Sequence, residues 1–494
     1  MDLLAAVQGC TFDDFLLAPQ LSVIDRRDPQ TIDLTCRLTP TLTLQRPIVS
    51  ANMDTVTRAE MAIVMAEEGG IGIIDRGFRP GDIEPQVREA LKVKRRQHGV
   101  IPDPLTITPE ALLEEAALAM QRSRVGTLVV VDANGRLKGL LTERDLRFVN
   151  RPDQTVASRM TPRDGLVTRR GAATLEAAAA LMAEHKIKKL PIVDDDDRLV
   201  GLMTSRDIVR QQRQPFATRD AQGRLRVGAA IGARGDFVER ASELLKAGVD
   251  VLVIDIAHGH SGVMERALSE VRKRFPEAEV IAGNVATADG ARFLAERGAS
   301  AVKVGIGPGG GCTTRMTTNF GVPQLQAIVE CRRALPESIP LIADGGIKRH
   351  GAFALALACG GDTVMLGSAF AGTTEAPGEE VQKSVLLPES QRAVKVPFKV
   401  LRGMASIDAI KDRLDVEDAS LVDLQAIGAE GMEVSVPLRG SARPVFQEMI
   451  KHLCSSISYG GAESLADLKS RFMADPGRYL IRLTESSRRE SYER

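Results

Sequence analysis

One cysteine in this sequence stands where a thiol could do covalent chemistry. Cys312 lies in "GIGPGGGCTTR", Gly305 to Arg315. Glycines let backbone N–H groups approach a ligand and adopt positive φ. A cysteine behind them becomes a nucleophile where nearby donors favour its thiolate. An isolated cysteine more often packs as a small apolar side chain, but Cys312 is followed by polar Thr313, Thr314 and Arg315. Two further segments suit an anion. They are "ADGGI", with Asp344, Gly345 and Gly346, and "MLGS", with Gly367 and Ser368. Glycine and serine N–H groups at successive strand ends are what a nucleotide phosphate needs on a barrel.

Strands must hold these residues. From about Val249 onward, "VDVLVID", "AEVIAGN", "ASAVKVGI", "IPLIADGGI" and "GDTVMLGS" read as strands. Their nearly continuous apolar runs suit strands buried on both faces. Helix-like stretches such as "VMERALSEVRKRF" and "ATADGARFLAERG" lie between them. Earlier, "PIVSANMDTVT" and "GGIGIIDRG" also end strands in polar loops. Repeated βα units predict a parallel sheet, here a (β/α)₈ TIM barrel whose strand-end loops form the reactive face. A doubly wound sheet is the rival. It favours a G-x-G-x-x-G turn opening a helix, which the cysteine loop does not provide.

The middle of the chain repeats itself. "RVGTLVVVDANGRLKGLLTERDL", from Arg124, aligns without a gap with "KIKKLPIVDDDDRLVGLMTSRDI", from Lys186, at an offset of 62 residues. Each copy reads strand, polar turn, strand, then Thr-x-Arg-Asp opening a helix. Two copies make a paired module rather than a solenoid. The expected organisation is barrel 1–98, first repeat 99–155, second repeat 156–213, and barrel 214–494. The module resembles a tandem CBS (Bateman) pair. That resemblance implies adenine or guanine nucleotide binding through Asp145 and Asp207, beside Thr142 and Thr204. Helix capping alone also accounts for Thr and Asp there. The "DDDD" run, Asp194 to Asp197, reads as a solvated hairpin turn.

Composition excludes several classes. The chain has 494 residues and zero formal net charge, with 65 basic and 65 acidic side chains. No global charge favours nucleic acid or an acidic membrane. Six scattered cysteines without CxxC spacing exclude a disulfide framework and give no metal-ligand pattern. The expected location is the cytoplasm, because the N-terminus lacks a signal-peptide pattern and no apolar run reaches membrane-spanning length. His258 and His260 in "AHGHS" read as loop residues without a third ligand.

"SANMDTVT", "IDIAHGHS", "AGNVAT", "KVGIGPGGGCTTR", "GVPQ", "IADGGI", "VMLGS", "TTEAPGE" and "RGMAS" occur in this order. Together they resemble the IMP dehydrogenase/GMP reductase family across nearly the whole chain. The resemblance implies that Cys312 attacks purine C2, with Thr314 as its polar partner. Asp344 would hold the ribose, and Gly346, Gly367 and Ser368 the phosphate. Met404 and Glu430 would contact the base. Asp255 and Asn284 would line the nicotinamide side of NAD or NADP, with Tyr459 reaching a neighbour's cofactor site. Backbone carbonyls of Gly307, Gly309 and Cys312 would hold potassium. The implied assembly is a homotetramer or octamer.

Two reactions share that covalent intermediate. The dehydrogenase hydrolyses it, and its family activates water with an Arg-Tyr pair on a flap. The flap region 403–430 here contains Arg413, followed by Leu414, and no tyrosine; the chain's three tyrosines are Tyr459, Tyr479 and Tyr492. "ANMDTV" and "SSISYGGA" are similar to reductase segments, whereas the repeat and "AHGHS" are similar to the dehydrogenase. Ile407 stands where reductases carry Glu. Gly310 replaces a usual Ser, and Leu401 a usual Tyr. GMP reduction is therefore the leading expectation and IMP oxidation the alternative. A modified purine nucleotide as substrate, or a catalytically silent nucleotide sensor, completes the set.

Overall fold

The computed structural model describes residues 1–96, 100–101, 104–123, 125–147, 153–171, 175–205, 214–386, 393–413 and 428–492. Asp207 lies outside the described residues, as do flap residues 414–427 and the side chain of Arg413, which ends a helix Ile407–Arg413. The chain forms two compact units. One comprises 1–94, 216–220 and 225–494; the other comprises 95–215 and 221–224.

The larger unit is a closed parallel barrel of eight strands. They are β1 (Ile48–Ser50), β2 (Ile71–Ile74), β3 (Gly228–Ile231), β4 (Val251–Asp255), β5 (Val280–Val285), β6 (Ala301–Val304), β7 (Leu341–Asp344) and β8 (Thr363–Leu366). The ring closes where Val364, Met365 and Leu366 of β8 pair with Ile48, Val49 and Ser50 of β1. Seven of these strands fall in the predicted segments. β3, "GAAI", was not among them: it has no β-branched or aromatic residue except its last, so its propensity signal is weak.

Alternation along each strand builds two apolar layers. Val251 and Val253 face the barrel interior with Ile281, Ala301, Ile342 and Met365. Leu252 and Ile254 face the outer helices. Leu38, Leu42 and Leu44 join the interior cluster from a short hairpin. That hairpin sits at the strands' N-terminal end, since Arg37 donates to Glu337 O, just before β7, at 2.7 Å. The opposite end is left for polar loops.

The outer helices are α1 (Ala59–Glu67), α2 (Glu84–Arg95), α3 (Phe237–Lys246), α4 (Gly262–Arg274), α5 (Ala288–Glu296), α6 (Gln324–Ala334), α7 (His350–Ala358) and α8 (Ala442–Tyr459). Ser261 caps α4 by accepting from Met264 N, and Thr287 caps α5 by accepting from Gly290 N. Each hydroxyl satisfies a donor that the first helical turn leaves free. Among the described residues, no helix is long and apolar enough to cross a membrane.

The inserted unit shows its repeat in three dimensions. Hairpin Thr127–Val131/Leu137–Thr142 pairs Val129 with Leu140, and hairpin Lys189–Val193/Leu199–Thr204 pairs Pro191 with Leu202. Both bulge at the equivalent place. The turns bond reciprocally: Leu137 N donates to Asp197 O, and Leu199 N to Gly135 O, both at 3.0 Å. Val129, Leu137, Leu140, Val193 and Leu202 form one apolar cluster between the sheets. Asp194 Oδ1 accepts from the N–H groups of Asp196 and Arg198, and Asp197 pairs with Arg163 at 2.7 Å. Thr142–Asp145 closes on itself rather than opening a helix among the described residues: Asp145 Oδ2 accepts from both the N–H and the hydroxyl of Thr142 at 2.7 Å, within a run of turns.

Candidate active site

Four consecutive strands bring a buried charge network to the barrel mouth. Asp255 ends β4, Asn284 lies in β5, Lys303 in β6, and Asp344 ends β7. Lys303 Nζ donates to Asp344 Oδ2 at 2.7 Å, to Asp255 Oδ1 at 3.3 Å, and to Asn284 Oδ1. Asn284 Nδ2 donates to Asp344 Oδ2 at 2.9 Å and to Gly305 O at 2.6 Å. Asn52 Nδ2 donates to Asp255 Oδ2 at 2.6 Å. Burial alone would push the Asp255 carboxyl up, but Lys303 and Arg76 outweigh it and hold the group below its usual range. Burial would likewise lower the Lys303 ammonium, which Asp255 and Asp344 hold above its ordinary value. The ions stay charged because they face one another.

The cysteine loop leaves β6 and is stitched to two distant segments. Thr313 N donates to Glu430 O at 2.9 Å, Met432 N to Gly311 O at 2.9 Å, and Gly403 N to Met432 O at 3.1 Å. These approaches leave no room for side chains. A Cβ on Gly403 would lie 2.4 Å from Gly311 O, and one on Gly431 would lie 2.6 Å from Ser406 N.

Within this seam, Cys312 Sγ lies 3.2 Å from Thr314 Oγ1, and Thr314 Oγ1 donates to Glu430 Oε2 at 2.7 Å. Thiol, hydroxyl and carboxylate form a continuous line. With its own proton turned to Glu430, the hydroxyl presents a lone pair to the thiol. Cys312 is partly exposed. The other five thiols are all pushed up by burial, Cys454 to about 11.

One open cavity of about 280 Å³ collects this chemistry. It is lined by Asp255, Asn284, Gly307, Gly309, Cys312, Thr314, Asp344, Gly346, Gly367, Ser368, Met404 and Glu430. Twelve expected positions, spread over 176 residues of sequence, thus share one space. Met404 is held from beneath, with its Sδ accepting from Asp54 N at 3.4 Å, while Arg402 is fixed by Asp54 Oδ2 at 2.7 Å. Gly310 and Leu401 also line the cavity, and a Cβ on Gly310 would meet nothing within 4 Å. Tyr459 is not in this lining: it is exposed near the end of α8, beneath Arg27. Asp145 belongs to the inserted unit.

Lys303, Asn52 and Arg76 were missed. Lys303 sits within "ASAVKVGI", a run otherwise apolar, where a buried cation requires paired anions. That was the available signal. Arg76 Nε is buried without a partner and its side chain lines the cavity beside Asp255. An unsatisfied donor there suits a polar part of a bound ligand.

This chain therefore defines a class: a parallel barrel with a partly exposed cysteine in a polar cavity at its strand ends. The family model described as "IMP dehydrogenase / GMP reductase domain" matches residues 9–493, and the chain belongs to that family. It is 42% identical over 487 residues to the inosine-5'-monophosphate dehydrogenase of Aquifex aeolicus, covering 98% of this chain and 95% of that one. The Bacillus subtilis enzyme of the same name is 41% identical over 492 residues, covering 98% and 95%. Among solved structures, a cysteine-to-alanine variant of GMP reductase from Trypanosoma brucei, in complex with guanosine 5'-monophosphate, superposes with a TM-score of 0.85. It is 36% identical and covers 99% of both chains. The same reductase with guanosine 5'-triphosphate gives a TM-score of 0.76 at 34% identity, covering 97% and 98%. The chain is thus an NAD(P)-dependent oxidoreductase of purine nucleotides.

Proposed function

We propose that this enzyme reduces GMP to IMP, releasing ammonia. The observation that carries the reading is the fate of its tyrosines. Tyr459 is exposed with Arg27 over its ring, Tyr479 is buried with its hydroxyl on Gly460 O, and Tyr492 donates to Phe15 O. None lines the Cys312 cavity, and the flap sequence contains none. Water activation by an arginine-tyrosine pair lacks its phenol. Deamination instead needs a proton for a leaving amine, and the Cys312–Thr314–Glu430 line supplies a path for one.

In this mechanism the Cys312 sulfur forms a bond to purine C2. Its proton passes through Thr314 to Glu430 and on to the departing amino group, whose C2–N bond breaks. When bound, the reduced nicotinamide cofactor supplies a hydride to C2. The C2–S bond then breaks, returning the electron pair to Cys312 and leaving IMP. Asp344 holds the ribose hydroxyls, with Lys303 and Asn284 fixing its carboxylate. Gly346, Gly367 and Ser368 hold the phosphate, and Met404 packs the base. Asp255, Asn284 and Arg76, whose Nε lacks a hydrogen-bond partner, line the nicotinamide side, and Arg413 acts from the flap. Carbonyls of Gly307, Gly309 and Cys312 are oxygen donors suited to potassium, although Gly309 O also accepts from Cys312 N at 3.1 Å. The inserted unit acts as a CBS pair for adenine or guanine nucleotides at Asp145 and Asp207. The assembly is a homotetramer in which Tyr459 reaches a neighbour's cofactor.

IMP oxidation is the second reading. It is favoured by the dehydrogenase name of relatives at 41–42% identity, higher than the identity to the reductase structures. Assays in both directions, with potassium, decide between them. GMP with NADPH should yield IMP and ammonia, and IMP with NAD little XMP. Ready XMP formation without GMP reduction would overturn the reductase reading. If neither reaction runs, attention moves to Gly310 and Leu401, and to a modified purine nucleotide or a silent sensor.

A further inference from the structure

Two of the chain's six histidines meet far from the cysteine loop in sequence and outside the residues lining its cavity. His350 is the first residue of α7, and His452 lies in α8. Their rings stack with centroids 4.3 Å apart and planes 12° from parallel. Glu448 stands one turn before His452 on α8, so both project from the same face. His452 Nε2 and Glu448 Oε1 are 3.9 Å apart. One ligand atom from each of His350, Glu448 and His452 lies within 4.8 Å of the other two.

The imidazole of His350 can offer a ring-nitrogen lone pair to a metal. Arg349, next in sequence, is turned away: it bonds Asp13 at 2.5 Å and lies over Tyr492. No other such group of three occurs among the described residues.

We propose that His350, Glu448 and His452 form a site for a divalent transition-metal ion, with zinc as the best match. Two imidazoles and a carboxylate suit zinc, with bonds of about 2.0–2.2 Å and a fourth position for water. Ligand atoms around a tetrahedral zinc lie roughly 3.4 Å apart. Closing the present spacing requires the exposed Glu448 and His452 side chains to rotate and the stacked rings to splay, because each ring lone pair lies in its ring plane. The ion would tie the start of α7 to α8. Since His350 lies six residues after Asp344 in sequence, the clamp would hold the outgoing end of a cavity loop.

The test titrates the full-length protein with Zn²⁺ by calorimetry and with Co²⁺ by visible absorption. Wild type is compared with His452→Ala, Glu448→Gln and His350→Ala. His452 and Glu448 are exposed enough for their variants to fold, and metal-free melting checks this. One ion per chain should bind wild type, with d–d bands and no thiolate charge-transfer band. Zn²⁺ should raise the melting temperature. His452→Ala and His350→Ala should weaken binding at least tenfold and abolish the shift; Glu448→Gln should weaken it less. Three results would overturn the site: no saturable binding below millimolar metal, unchanged binding in both histidine variants, or a thiolate band placing the ion on a cysteine such as Cys312.

Discussion

The barrel mouth and the inserted repeat use aspartates in opposite ways. In the repeat, Asp145 spends its carboxylate on its own turn, accepting twice from Thr142 three residues away. At the barrel mouth, Asp255 and Asp344 are held by Lys303 from another strand, 48 and 41 residues distant. A local partner fixes a turn but leaves less of the group for a ligand. A distant partner links strands and points the remaining lone pairs into the cavity. The difference teaches where substitution should be felt: widely at the mouth, narrowly in the repeat.

Loss of the proposed nucleophile should have the largest effect. Cys312→Ala should abolish turnover while nucleotide binding stays within about tenfold, because covalent catalysis is lost and little contact surface goes with it. Quenched-reaction mass spectrometry should find a purine adduct on wild-type Cys312, and substantial turnover by the variant would remove the covalent mechanism. Next comes the relay. Glu430→Gln should lower kcat by about 10²–10⁴-fold, the usual worth of general acid–base assistance. If kcat holds and only KM rises, Glu430 merely binds.

Removing the cation from the mouth should disturb fold and function together. Lys303→Met leaves Asp255 and Asp344 facing each other, and breaking a buried pair typically costs about 3–5 kcal/mol. Denaturant unfolding should show that loss at neutral pH and a smaller one in acid, where protonation relieves the Asp255 carboxylate that Lys303 no longer holds down. An unchanged midpoint would dissolve the contrast between the two regions.

A smaller effect comes from Asp75, just after β2. It is buried, and burial pushes its carboxyl up to about 6, with the Arg58 guanidinium opposing. The folded state therefore binds a proton at a higher pH than the unfolded chain. Stability from this group is greatest below about pH 4 and declines as pH rises to about 6, by about 3 kcal/mol at most. Asp75→Asn should flatten that slope in melting curves taken across the window. A slope that survives belongs to another group.

Two mild changes complete the comparison. Asp145→Ala should leave nucleotide turnover in the absence of effectors within a few fold, while calorimetry with ATP and GTP should show weakened binding. Equal heats would leave Asp145 as a turn residue only. Gly310→Ser should be tolerated, since a Cβ there meets open space. Its measure is a modest fall in KM for the nucleotide, and a collapse in activity would mean that the loop requires glycine.

The contrast also sorts what could be read from the sequence. Seven barrel strands were legible because their apolar runs are continuous, and the repeat because its two copies align without a gap. β3 was not, since Gly-Ala-Ala carries little strand preference. The twelve cavity positions could be named from motif order, but the network joining them could not. Lys303 was visible as a charge inside an apolar run, whereas its three partners come from strands whose register only the fold reveals. The reciprocal bonds between the repeat's turns likewise need a second hairpin brought alongside the first.

The glycine seam beside the cysteine has one more consequence. Glu430 N donates to Ala405 O at 3.2 Å, so the chain returns at residue 430 to where it departed at residue 405. The two stems of that excursion clasp the cysteine loop through main-chain atoms, joined by one side-chain bond from Thr314 Oγ1 to Glu430 Oε2. Such a clasp is indifferent to what is strung between its ends. A changed sequence between the stems should leave those stem bonds, and with them the sulfur, in place, much as a cassette is swapped in a fixed housing. A single covalent adduct could in this way be steered toward different products, and a chimera that grafts a foreign excursion between Ser406 and Glu430 is the natural way to exploit it.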